Sequence, residues 1–252
     1  MSFDVEGDAY NQFMGRFSEP LAVQFLQLVD GVPATTALDV GCGPGALTAQ
    51  LVARLGLSHV TVIDPSEQFV EAVSQRFPGI DARRGAAEDL PYADAAFDLC
   101  MAQLVVHFMT DPVAAITEMA RVTRPGGAVA ACVWDHAGDR GPLSNFWQAA
   151  GKLDADVVDE SGLPGTRDGQ LLDYFERAGL RDIVPGSLTV QLEVASFDEW
   201  WHPFTLGVGP VGSYVAALTP EARERLKDTY AGMFPSGPFT IDATAWSVVG
   251  RV

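Results

Sequence analysis

The apolar positions of the chain repeat with two periods in alternation. Short runs of three to five apolar residues are each followed by a stretch with apolar positions spaced for one helix face. Ser18 to Asp30 reads as a helix, with Ser18 as its cap, Pro20 in the first turn, and Leu21, Phe25, Leu28 and Val29 on one face. Ala37 to Val40 predicts a strand, followed by a glycine loop and a helix over Leu47 to Leu55. His59 to Ile63 predicts the next strand and Glu67 to Phe77 the next helix. A weaker strand is expected near Ile80 to Arg83, and a stronger one over Phe97 to Leu104. Asp111 caps a helix that begins at Pro112 and runs to about Val122. After the turn Pro125-Gly126-Gly127, Ala128 to Trp134 predicts another strand. This order implies a parallel sheet with helices on both faces.

The pattern changes after Asp135. Residues Gly138 to Gly169 are rich in Gly, Pro and Asp, with one short helix around Phe146 to Leu153. Gln170 to Ala178 predicts a helix stopped by Gly179. Leu188, Val190, Leu192 and Val194 alternate with polar residues, the mark of a half-buried strand. Phe197 to Tyr214 is aromatic and rich in Gly and Pro. Thr219 caps a helix with Ala222, Leu226, Tyr230 and Met233 along one face, and Ile241 to Val249 supplies a last strand. The two closing strands, separated by helices, are expected to pair antiparallel at one sheet edge.

Composition narrows the class. The 252 residues are 48% hydrophobic and 19% charged, a globular balance rather than a disordered one. With 33 acids against 16 bases the formal charge is −17. That excess repels phosphate backbones and anionic headgroups, so nucleic-acid and membrane-surface partners are not expected. It suits a neutral or cationic small molecule. Met1 to Tyr10 holds three acids and no base, unlike a secretory signal, and no apolar run approaches a membrane span. Cys42, Cys100 and Cys132 lack metal-ligand spacing, so no metal is expected, and they read as reduced thiols of a cytoplasmic chain.

The chemistry concentrates in Leu38-Asp39-Val40-Gly41-Cys42-Gly43-Pro44-Gly45, a strand running into Gly-x-Gly-x-Gly and then a helix. Glycines there let the backbone turn sharply and approach a ligand closely. Gly41, Gly43 and Ala46 also fit a looser dinucleotide fingerprint. Asp64, 23 positions after Gly41 at the end of the next strand, can accept both hydroxyls of a ribose, which either cofactor class needs. Asp39 separates the classes: a carboxylate beside the loop repels a pyrophosphate and favours a ligand carrying ammonium and sulfonium charges.

These residues resemble the first motif of class I S-adenosylmethionine-dependent methyltransferases. The similarity continues through Val62 to Ser66, Gly85 to Tyr92, Phe97 to Leu99 and Arg121 to Gly127, covering about residues 34 to 134. The branch it resembles contains ubiquinone/menaquinone-biosynthesis-like small-molecule methyltransferases. The resemblance implies a Rossmann-like, doubly wound, mostly parallel seven-stranded sheet with an antiparallel last strand and a helical lid insertion. It implies one methyltransferase domain over 1–252, with a lid segment and helix at 1–33, a cofactor-binding core at 34–134, and a cap with closing strands at 135–252.

It also implies roles. Gly41, Cys42 and Gly43 lie against the methionine part of the donor, with Asp39 near it. Asp64 takes the ribose, and Pro65 or Ser66 lies beside the adenosine. Ala87 and Glu88 bracket adenine, Gln103 faces the amino-acid end, and Tyr10 and Arg16 close over the donor. Each has a plainer reading: a bare strand-to-helix turn for the glycines, a helix cap for Asp64, a solvated loop acid for Glu88. Asp98 is expected to hold the turn before the fourth strand. His107 is a candidate general base or a packing residue, with Asp135 and Tyr10 as further candidate bases. Trp134, Trp147, Trp201 and His202 either line an acceptor pocket or fill the core. The function expected is in-line methyl transfer to a small molecule, driven by alignment and exclusion of water. A nicotinamide-dependent oxidoreductase and a non-catalytic donor-binding regulator are the alternatives.

Overall fold

The computed structural model describes residues 11–252. A π turn over Asn11–Gly15 leads directly into α1 (Arg16–Gln27). Then follow β1 (Ala37–Val40), α2 (Ala46–Leu55), β2 (Val60–Asp64), α3 (Glu67–Arg76), β3 (Asp81–Arg84), β4 (Phe97–Gln103), α4 (Pro112–Val122) and β5 (Thr123–Trp134). The remainder is α5 (Ser144–Leu153), α6 (Gln170–Arg177), β6 (Arg181–Val194), α7 (Phe197–Trp201), α8 (Gly209–Ala217), α9 (Pro220–Ala231) and β7 (Phe239–Arg251).

The seven strands form one sheet in the order β3-β2-β1-β4-β5-β7-β6. β7 runs antiparallel to both β5 and β6, while the strands from β3 to β5 are mutually parallel. This is the doubly wound, mostly parallel sheet with an antiparallel last strand that the alternation and the resemblance predicted. The order reverses between β1 and β4. Their carboxyl ends therefore diverge and open a crevice there.

Alternation along the strands feeds two cores. Leu99 and Met101 of β4 pack on the face covered by α1 and α2, whereas Cys100 and Ala102 pack on the α4 and α6 face. β1 is buried at all four residues because both faces are covered. Capping signals held where the sequence placed them: Asp111 accepts from the Ala114 amide, and Thr219 from the Ala222 amide. Gly179 takes φ +81° just past α6 and closes that helix.

Three expectations are corrected. Ser18 caps nothing: the π turn leaves no free helix end there, and Ser18 is buried inside α1 with Gly15 at the cap position. Leu28 falls in the turn beyond α1 and is 41% exposed, although Leu21, Phe25 and Val29 are buried as expected. β5 starts at Thr123 rather than Ala128, because Thr123 already pairs with Phe97. The Pro125–Gly127 turn becomes a bulge within the strand, at the register shift opposite Phe97 and Leu99.

The aromatic segment after β6 folds inward. Trp200, Phe204, Phe146 and Tyr230 pack ring against ring, and the Trp200 indole nitrogen donates a 2.7 Å hydrogen bond to the Tyr230 hydroxyl. Burying such rings with their polar tips satisfied holds the cap onto the sheet. No helix of the described residues is long and apolar enough to cross a membrane.

Candidate functional site

A cavity of about 290 Å³ lies at the carboxyl ends of β1, β2 and β4, where the strand order reverses. Its floor is the loop after β1. Gly41 has φ +70°, and a Cβ there would sit 2.4 Å from a Val105 methyl. Backbone conformation and crowding therefore both demand glycine. Gly43 has φ +51° with open space where a Cβ would be, so its backbone is exposed to whatever fills the cavity. The amides of Gly41 and Cys42 both donate to the Ile63 carbonyl, at 2.8 and 3.2 Å, which pins the loop to the end of β2.

Two acids face this space. Asp39 is 1% exposed; its Oδ2 accepts from Thr48 Oγ1 at 2.6 Å, and its Oδ1 has no partner. Burial pushes its pKa up to about 7, with repulsion from Asp64 adding to the effect and the Thr48 bond opposing it. Asp64 is also raised, by burial first, while amide donors hold it back: Gly43 on Oδ2 at 3.0 Å and Ser66 on Oδ1 at 2.8 Å. Each Asp64 oxygen keeps a second lone pair. Among the described residues no lysine or arginine lines the cavity.

The side toward α1 is closed by Ser18 and Gln103. Gln103 Nε2 donates to the Ser18 carbonyl at 2.9 Å, which leaves Gln103 Oε1 and Ser18 Oγ buried and unpartnered. A cavity with three buried, unpaired oxygens and two carboxylates among the described residues calls for a ligand that brings donors or positive charge.

Beside it lies a smaller cavity of about 40 Å³, between the π turn, the end of β5 and the start of α8. Leu104, His107 and Phe108 line both spaces, and of these three only His107 titrates. His107 is buried, and its Nδ1 has no hydrogen-bond partner among the described residues. Burial, assisted by His136 with its ring centroid 6.0 Å away, holds His107 well below the usual imidazole range. His107 is accordingly neutral at pH 7, with a ring nitrogen able to accept a hydrogen bond.

The sequence-expected residues separate into two groups. Asp39, Gly41, Cys42, Gly43, Asp64, Pro65, Gln103 and His107 come together around the larger cavity, and Trp134 lines the smaller one. The others lie elsewhere. Ser66 caps α3, accepting from the Phe69 amide. Glu88 Oε1 accepts from the Thr110 amide at 2.9 Å, and Ala87 packs against the second core, so neither lines the cavity. Arg16 pairs with Glu199 at 2.7 Å rather than facing the loop. Trp147 stands behind the smaller cavity, Trp201 stacks on Phe204 within the core, and His202 is exposed; the acceptor-lining alternative for these three gives way to packing and surface positions. Asp135 is tied up by Arg140 and the Gly138 amide. Tyr10 lies outside the described residues.

Asp98 accepts from the Thr35 amide and hydroxyl, the Thr36 amide and Arg124, as expected of a residue holding that turn. Burial opposes its ionisation, but these donors together hold it well below the usual carboxylate range.

Residues that the sequence did not single out include His136 and Glu160, both lining the smaller cavity. His136 follows the carboxyl end of a strand, a place where parallel sheets put ligands. Glu160 sits in the Gly- and Asp-rich insertion and carries no local signal.

Residues 38–131 match a family model described as a methyltransferase domain. The chain is 39% identical over 92 residues to malonyl-[acyl-carrier protein] O-methyltransferase of Erwinia billingiae, covering 36% of each chain. It is 35% identical over 132 residues to an uncharacterized methyltransferase of Mycobacterium tuberculosis, covering 52% of this chain and 53% of that one. The chain spans about a third to just over half the length of the curated relatives it matches. A solved SAM-dependent methyltransferase from Thermotoga maritima shares the fold, with TM-score 0.56 at 18% identity over 97% of this chain and 93% of that one.

Proposed function

We propose, given that residues 38–131 match a methyltransferase-domain family, that the whole protein transfers a methyl group from S-adenosylmethionine to a small-molecule acceptor. One observation carries this reading: among the described residues, the cavity over the glycine loop holds two carboxylates and no cationic side chain. A pyrophosphate placed there would meet only like charge, whereas a sulfonium and an ammonium find partners. The unpaired Asp39 Oδ1 and Gln103 Oε1 are acceptors for exactly such donors.

In this reading the backbone at Gly41 to Gly43 and the carboxylate of Asp39 hold the methionine end, and Asp64 takes the ribose hydroxyls. Pro65 and Phe69 supply flat apolar contact. The residues at 1–33 supply a wall of both cavities through Phe13, Met14 and Ser18, and those at 135–252 cap the acceptor side. When bound, S-adenosylmethionine supplies an activated methyl on sulfur. The protein aligns the acceptor with it and excludes water. His107, neutral and common to both cavities, is placed to orient the acceptor by a hydrogen bond.

Titration calorimetry with S-adenosylhomocysteine and with NAD tests the donor site. Micromolar binding of the first and none of the second is expected, and tight NAD binding would overturn the reading. Release of S-adenosylhomocysteine from the donor in the presence of an acceptor panel then tests turnover, and His107→Ala should lower turnover while leaving donor affinity within about twofold.

A further inference from the structure

The smaller cavity has a chemical polarity of its own. Phe13, Phe108, Trp134, Leu143 and Val211 make its walls apolar and largely aromatic. Its polar groups are His107, His136 and Glu160. Glu160 is 5% exposed; its Oε2 accepts from the Trp147 indole nitrogen at 2.9 Å, while its Oε1 has no hydrogen-bond partner among the described residues. Nδ1 of each imidazole is buried with no hydrogen-bond partner among the described residues, and burial holds both below their ordinary range, His136 at about 4. Among the described residues no lysine or arginine lines this cavity, so none of its lining groups offsets the charge of Glu160. An anionic acceptor would face that acid in a dry space, and a ligand without a polar end would leave Oε1 unsatisfied. A cationic ligand satisfies it, and the faces of Trp134, Phe13 and Phe108 add to the attraction.

We propose that Glu160 and the aromatic walls around it form the subsite for the amino group of the acceptor, which is a small apolar amine. The proposal rests on the methyl-transfer reading above and deepens it. The amine arrives as an ammonium and passes one proton to Glu160 Oε1. The N–H bond breaks, an O–H bond forms, and both groups become neutral, which a water-poor cavity favours. The nitrogen is left with the lone pair that accepts the methyl. With burial raising Glu160 to about 7, countered by the Trp147 bond, its carboxylate is a stronger base than an exposed one. A volume of about 40 Å³ holds about three water-sized groups, so the subsite receives the amino end of the acceptor and the rest extends beyond it.

Three probes of similar size decide the matter: ethylamine, ethanol and acetate, titrated at pH 7.5 into the S-adenosylhomocysteine-loaded protein and followed by ligand-observed NMR. Ethylamine should bind at least about tenfold more tightly than either of the others. Glu160→Gln, which keeps an oxygen for Trp147, should abolish that preference and leave S-adenosylhomocysteine affinity unchanged. Any other ranking in the wild-type protein, absence of ethylamine binding included, overturns the proposal, as does a preference that survives in the variant. Failure of S-adenosylhomocysteine to bind would instead overturn the methyl-transfer reading. The same three probes on the unloaded protein would then judge the subsite alone.

Discussion

The indole nitrogen of Trp147 donates a 2.9 Å hydrogen bond to Glu160 Oε2, joining two buried side chains from α5 and the loop that follows it. The bond fixes the carboxyl of a residue that lines the smaller cavity, and its other oxygen has no hydrogen-bond partner among the described residues. Trp147→Phe removes the donor while keeping most of the ring. We expect a loss of about 1–3 kcal/mol in urea unfolding, the cost of an orphaned buried acceptor plus a small void. An unchanged midpoint would mean that water replaces the indole.

Asp39 has a folded-state pKa of about 7, above its ordinary value of 3.8. Its protonated form is favoured by folding, so its contribution is full at low pH and is lost as pH rises from about 4 through 7. Asp39→Asn should therefore flatten the decline in stability over that window, by at most ~1.4 kcal/mol per pH unit. The check is a set of denaturant curves at pH 4, 5.5 and 7.5.

A cation bound beside Asp39 favours its charged form and lowers its pKa. Binding of S-adenosylmethionine at pH 6.5 should thus release a fraction of a proton, seen as a dependence of the calorimetric heat on buffer ionisation enthalpy. In Asp39→Asn that dependence should shrink. Proton uptake on binding would contradict the charge assignment.

At Gly41 two causes of intolerance can be separated. Gly41→Ala meets both the strain of φ +70° and a Val105 methyl at 2.4 Å. Left-handed backbone costs an L residue about 1–2 kcal/mol, and the clash adds to it. The double variant Gly41→Ala with Val105→Ala should recover the steric part of the stability and of S-adenosylhomocysteine affinity, but not the backbone part. Gly43→Ala, at φ +51° with open space, should show the backbone cost with no clash to relieve.

Asp98 ties the segment before β1 to the start of β4 and to Arg124 of β5. Because its folded pKa is depressed, its stabilisation is present above pH 4 and lost as pH falls. Asp98→Asn should cost about 2–4 kcal/mol at pH 7, and less at pH 3, where the unfolded chain has taken up a proton that folded Asp98 does not, so part of the charge's stabilisation is already lost. Equal costs at both pH values would assign its role to shape rather than charge.

The strand and helix alternation was legible because each element signals itself locally. Leu38, Val40 and the glycine loop lie within eight consecutive residues, and Asp111-Pro112 and Thr219-Pro220 carry their own caps. Ser18 misled because its capping chemistry is local, while the π turn that displaced it arises from how the preceding residues pack. Glu88 misled for a similar reason: a motif gives its position in the chain, but the amides of Thr110 and Asp111, twenty-two and twenty-three residues away, hold its carboxylate. Nothing near Glu160 in the chain marks it out, since a buried acid and a solvated one look alike in an acid-rich insertion.

From its order of residues alone this chain settles that a parallel sheet forms, that a glycine loop ends its first strand, and that acids rather than bases attend that loop. Those are consequences of short-range sterics and of spacing within single elements. Folding alone brings Glu160, His107 and Trp134 to one cavity, from three segments spread over some fifty residues. Their meeting depends on how β4, β5 and the insertion pack, and packing is a property of surfaces that no local pattern encodes.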